Sequence, residues 1–140
     1  GGAVGTTALN IANSKVNLDF AQAIALGIMC NALVCLAVWM TYSARSTIDK
    51  IAAIVFPISA FVAAGFEHNV ANMYFIPVAL FIRQFDPAFY DAWAANVTAN
   101  TANLTWGGFL INNLLPVTIG NIIGGSGLVG GLYWWIYGRD

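Results

Sequence analysis

Residues 63–77 read AAGFEHNVANMYFIP, and their polar centre, Glu67-His68-Asn69, interrupts an apolar tract. Glu67 is the single glutamate of the chain and His68 its single histidine. The tract covers residues 51–82. A straight helix of that length, at about 1.5 Å per residue, would run about 48 Å. The hydrocarbon core of a bilayer is about 30 Å thick, and two full crossings need about 40 residues. The tract is too long for one straight crossing and too short for two. It reads as a broken segment, with half-helices over about 51–65 and 70–84 joined by irregular backbone near 66–69. Gly65 and the polar run mark the break. Irregular backbone at membrane depth persists only where protein or a water-lined cavity satisfies it.

The rest of the chain fits a membrane setting. Of its 140 residues, 59% are hydrophobic and 8% charged. The mean hydropathy is +0.74. A soluble domain carries about 25% charged residues. The net charge of −1 gives no basic footprint for nucleic acid. Cys30 and Cys35 lie in one apolar helical run and point to different faces, so they read as small packing residues rather than a disulfide or a metal site.

Two further apolar tracts flank the broken one. Residues 20–42, FAQAIALGIMCNALVCLAVWMTY, carry no charge and meet the length of about 20 that one crossing needs. Asn17 is placed as its N-cap, and Asp19 suits the positive end of the helix dipole. Trp39 and Tyr42 sit where an aromatic belt belongs. Residues 106–137 form the other tract, with Asn112, Asn113 and Pro116 read as an entry kink and the membrane helix as 113–137. Gly120 with Gly124, and Gly127 with Gly131, have the spacing that lets a second helix approach closely. Tyr133, Trp134, Trp135 and Tyr137 form a second belt. Residues 86–105 read as a polar loop, and its Asn96-Val97-Thr98 and Asn103-Leu104-Thr105 sequons as part of that hydrophilic stretch.

The whole is therefore one transmembrane domain over 1–140, with spans at about 20–42, 51–84 and 113–137. Three spans place Arg45, Lys50 and Arg139 on one side and Lys15 and Arg83 on the other, a charge balance that favours a cytoplasmic C-terminus. The opening GGAVGTTALN has no initiator Met, basic n-region or cleavage pattern, so the expectation is that the chain is part of a longer polypeptide.

The polar centre has several readings. A lone histidine in a soluble core is commonly a satisfied packing residue. Within a membrane an ionisable side chain is costly and marks function. The half-helix beginning beside His68 aims positive potential at the midplane, and Asn72 lies one turn on. That arrangement suits a small anion. Haem needs two axial histidines in most membrane cytochromes, and zinc needs more ligands than one His, one Glu and two helical cysteines supply. GNIIGGSG at 120–127 lacks the lysine of a phosphate-binding loop. No cofactor and no enzymatic constellation are indicated. A non-transporting subunit of a respiratory complex, structural or quinone-contacting, is the rival class. There Glu67 and His68 would serve packing or proton relay.

GFEHNVANM (65–73) and NNLLPVTIGNIIGG (112–125) closely resemble the signature segments of the formate/nitrite transporter family, as do GIMCNALVCLAVWM (27–40) and ALNIANSKV (8–16). The likeness covers essentially the whole chain and corresponds to the C-terminal half of such a protein. It implies an all-α, aquaporin-like architecture of two inverted three-helix repeats, this chain supplying one repeat with a broken middle helix. It further implies a homopentamer in the bacterial inner membrane, each protomer passing formate, nitrite or hydrosulfide. By position, His68 resembles the central pore histidine, with Asn72 and Asn31 as pore-facing polar residues. Lys15 resembles the lysine of the loop before the first span here, and Glu67 a partner for it. Phe61 and Val34 match apolar constriction residues. Asn69 stands where the family more often has Ser. ANMYFIP (71–77) looks most like the formate branch. The missing N-terminal half of the pore would be a required partner.

Overall fold

The structure is a computed structural model that describes residues 2–138; Arg139, used in the charge balance above, lies outside the described residues. In order, the helices are α1 (Gly2–Val16), α2 (Phe20–Thr41), α3 (Thr47–Ala63), α4 (Asn69–Phe85) and α5 (Pro87–Ala94). A π-helical turn π1 (Gly108–Leu114), α6 (Leu115–Ile122), a second π-helical turn π2 (Ile123–Gly130) and α7 (Gly131–Tyr137) complete the chain. No strand occurs among the described residues. Among the described residues two helices, Phe20–Thr41 and Gly108–Tyr137, are long and apolar enough to cross a membrane. Between them in sequence stands the broken pair, α3 and α4, as expected.

The break has a local cause. Gly65 takes a φ of +69°, the left-handed region that costs an L side chain about 1–2 kcal/mol. Gly65 N–H donates to the Val62 carbonyl and Phe66 N–H to the Phe61 carbonyl. These two bonds make the glycine-terminated helix end known as the Schellman motif. Residues 66–68 then have no regular secondary structure before α4 begins at Asn69.

The chain forms two compact units, one of Gly1–Gln22 with Asn69–Pro116, the other of Ala23–His68 with Val117–Asp140. The core of the first unit joins Leu9, Ala12 and Val16 of α1 to Ile76, Ala79 and Leu80 of α4, with Tyr90, Trp93, Leu104 and Phe109. Buried positions 5, 9, 12, 13 and 16 of α1 recur at helical spacing. Lys15 falls in the last turn of α1, so the loop placement implied by the family likeness is corrected.

Residues 86–105 are also not a loop throughout. Asp86 caps α5 by accepting from Phe89 N–H, and Pro87 occupies the first turn. The remainder is pinned by side chains. Arg83, in the last turn of α4, donates to the Leu104 carbonyl at 2.6 Å, with its guanidinium 5.1 Å from the Tyr90 ring centre. Trp93 Nε1 donates to Asn10 Oδ1, and Asn17 Nδ2 to the Asn100 carbonyl. Asn17 is therefore a tether, and Asp19 takes the capping role for α2 by accepting from Ala21 N–H.

In the second unit the glycine spacing is used once. A Cβ on Gly120 or Gly124 would collide with the carbonyl oxygen of Ile24 or Ile28, and one on Gly27 would lie 2.9 Å from the Val117 carbonyl oxygen. Backbone thus meets backbone where α2 passes the Gly-rich tract. Gly127 and Gly131 meet no other helix in this way. Trp39 stacks on Tyr133 with ring centres 3.9 Å apart, joining the two aromatic belts. The tract that holds Gly120 is already helical at Gly108, ahead of the expected start at 113, and its Asn112-Asn113 pair lies in π1.

Candidate functional site

The residues picked out in the sequence fall into both units. In the second unit, His68 closes the irregular segment, with its ring 6.0 Å from that of Phe61 at an interplanar angle of 26°. Phe61 belongs to the last turn of α3, so the helix end that turns at Gly65 brings the two rings together. Asn31 and Val34 occupy successive turns of α2 on one face. Glu67 is buried, at 3% exposure.

Asn121, in α6, organises this unit. Its Nδ2 donates to the Glu67 carbonyl at 3.0 Å and to the Gly27 carbonyl at 2.9 Å. The Asn121 backbone carbonyl accepts from Asn31 Nδ2 at 2.6 Å. Glu67 N–H lies 3.4 Å from the Leu26 carbonyl oxygen. The Glu67 backbone N–H and carbonyl, left without helix partners by the break, are therefore bonded to protein. Asn31 and Glu67 are brought together through Asn121.

In the first unit, Asn72 stands in the first turn of α4 and is fully buried. Its Nδ2 donates to Asn113 Oδ1 at 2.8 Å. Asn113 Nδ2 in turn donates to the Lys15 backbone carbonyl at 3.0 Å. Asn72 and the end of α1 at Lys15 are thus joined through Asn113. Asn69 Oδ1 accepts from the N–H of Val70 at 2.8 Å, at the start of the same helix.

Two organising residues, Asn113 and Asn121, are not among the site residues that the sequence points to. The signal was present: both are amides inside an apolar tract, where an unpaired amide is costly. The first was read as a kink, and the second was passed over within NNLLPVTIGNIIGG.

Comparison with known proteins agrees with this architecture. The formate/nitrite transporter family profile matches residues 1–135. The formate channel FocA of Escherichia coli (strain K12) is 50% identical over 137 residues, a match spanning 97% of this chain and 48% of FocA. The formate channel FocB of the same organism is 47% identical over 136 residues, again 97% of this chain and 48% of FocB. A solved structure described as a pentameric formate channel with formate bound aligns with a TM-score of 0.83 and 47% identity. That alignment covers 97% of this chain and 53% of the channel chain. The chain spans about half the length of the curated relatives it matches. On its sequence and its fold together, the chain belongs to the formate/nitrite transporter family.

Proposed function

We propose that the protein passes small monovalent anions, formate foremost, across the bacterial inner membrane through a path centred on His68. The observation that carries this reading is the break between α3 and α4. It sets an ionisable ring beside the start of a half-helix, in a chain that is otherwise mostly apolar. The likeness to FocA and to a formate-bound channel supports formate over nitrite or hydrosulfide. The pentameric state of that channel supports a homopentamer here, with the remaining half of each pore coming from sequence outside these residues.

The chemistry follows from desolvation. A bare anion entering an apolar constriction loses hydration worth tens of kcal/mol in the idealised Born limit. Positive potential from Lys15 and from the half-helix end draws it in. His68 hydrogen-bonds the solute and hands it a proton, so that a neutral acid crosses between Phe61 and Val34. Imidazole, with an unperturbed pKa of about 6.5, is the side chain suited to that exchange near neutral pH. Asn72 and Asn31 supply polar contacts. The C-terminus faces the cytoplasm.

The test is a liposome flux panel of formate, nitrite, hydrosulfide and acetate across pH. Formate leading the panel supports the reading. A purified protein that passes none of the four contradicts it and favours a non-transporting membrane subunit.

A further inference from the structure

We infer that Asn17 is a positioning residue: it latches the segment 96–105 onto the last turn of α1 and so fixes the root of Lys15. The inference deepens the anion path proposed above and rests on it, since Lys15 is the charge that draws the solute in there.

The end of α1 sets the need. The last four carbonyls of a helix have no partner within it. Asn17, the first residue after α1, turns its Nδ2 back to the Asn13 carbonyl at 2.8 Å. That bond closes the turn containing Lys15. The Lys15 carbonyl is itself held by Asn113 Nδ2 at 3.0 Å. A lysine stem is flexible, so the reach of its ammonium depends on where its root is held.

The rest of the Asn17 amide is committed to residues 96–105. Its Nδ2 also donates to the Asn100 carbonyl at 2.7 Å, and its Oδ1 accepts from Asn103 Nδ2 at 2.8 Å. Carbonyls only accept, so the amide has one workable orientation, with Nδ2 toward Asn13 and Asn100 and Oδ1 toward Asn103. The segment is anchored on both sides of this latch. Val97 packs partly buried against the core of the first unit and Leu104 is fully buried in it, whereas residues 98–103 between them are polar or small. The Leu104 carbonyl accepts from Arg83, and a Cβ on Gly108 would collide with the Asn103 carbonyl oxygen. The segment is thus a strap, tied to α4 and to the start of π1, and Asn17 is where it meets α1.

The experiment uses the full-length protein in liposomes, with flux measured against formate concentration and hydrogen exchange of residues 96–105 read in parallel. Asn17→Ala removes the latch. Asn103→Ala removes one bond of it and serves where the first variant fails to assemble. Each should quicken exchange in the strap and raise the formate concentration for half-maximal flux about threefold or more, with maximal flux within about twofold of wild type. The shift should vanish in about 1 M of an impermeant salt, where the Debye length is about 3 Å. It should vanish also in a Lys15→Gln background, where no charge is left to place. A loss of packing alone would survive both conditions. Quickened exchange with an unchanged half-maximal concentration would overturn the inference. So would a shift that persists at high salt or beside Lys15→Gln, or wild-type exchange in Asn17→Ala. Absence of formate flux from the wild type would instead contradict the proposed function, and Lys15→Gln without effect by itself would contradict the steering role given to Lys15 there. In either case the latch would be judged by exchange in the strap, with a wild-type rate in Asn17→Ala counting against it.

Discussion

Asn121 holds Glu67 by its backbone: the Asn121 Nδ2 donates to the Glu67 carbonyl oxygen at 3.0 Å, and to that of Gly27 at 2.9 Å. One buried amide thus satisfies a carbonyl on the irregular segment and another on α2. Removing it strands two acceptors, each costing about 1–3 kcal/mol when left buried and unpaired. Asn121→Leu should therefore lower the Tm of the purified protein in detergent by several degrees. Asn121→Asp, which loses the donor but keeps the shape, should do at least as much harm. A Tm within one degree of wild type for both would mean that Asn121 does not brace the break.

Gly120 and Gly124 differ from Gly127 in what a methyl group would meet. At the first two positions it would strike a carbonyl of α2, whereas at Gly127 the nearest atom is Ile123 Cγ2 at 4.0 Å. Overpacking costs about 1–3 kcal/mol. Replacing an uncrowded helical glycine by alanine gains up to about 1 kcal/mol. Gly120→Ala and Gly124→Ala should destabilise, and Gly127→Ala should be neutral or stabilising, as read by thermal unfolding. Equal effects at all three positions would contradict the backbone-to-backbone approach.

Gly65 is required by its dihedral rather than by space, since nothing lies within 4 Å of a Cβ built there. Gly65→Ala should cost about 1–2 kcal/mol from the left-handed conformation alone. Gly65→Asn should cost less, because asparagine tolerates that region better. Urea unfolding of the two variants gives the comparison; an alanine variant as stable as wild type would remove the glycine from the account of the break.

The N-terminus of α3 carries a pH dependence. Ser46 and Asp49 form a capping box, each side chain bonding the other's backbone N–H. Hydrogen bonding from Ser46, through its side chain first and its backbone second, holds the Asp49 carboxyl below its ordinary value of 3.8. A carboxyl depressed on folding adds stability above its unfolded pKa and loses it as pH falls through the folded one. NMR titration of the Asp49 carboxyl carbon should give a midpoint below 3.8 in the wild type and a higher one in Ser46→Ala. Identical midpoints would contradict the cap.

The sequence disclosed the features that stand out against an apolar background. Gly65 and Glu67-His68-Asn69 located the break, and the half-helices run only a few residues past the ends expected for them at residue 51 and near 84. The close approach at Gly120 and Gly124 was legible for the same reason, as small residues at helical spacing. Helix α1 was hidden because its buried stripe, Gly5, Leu9, Ala12 and Val16, is small and interleaved with Thr, Asn and Ser. The short helix α5 was hidden by its polar setting, although Asp86-Pro87 is a helix start. Asn113 and Asn121 were illegible as hubs because their partners are backbone carbonyls or a second asparagine far along the chain. Sequence spacing does not record such bonds.

The central claim is that His68 exchanges a proton with the solute, and formate flux through His68→Ala and His68→Asn liposomes, compared with wild type from pH 5 to 8, tests it most directly. The account predicts that both variants lose the acid-stimulated component, by about tenfold or more, while any residual flux becomes insensitive to pH. Wild-type flux with an unaltered pH profile in either variant would contradict it.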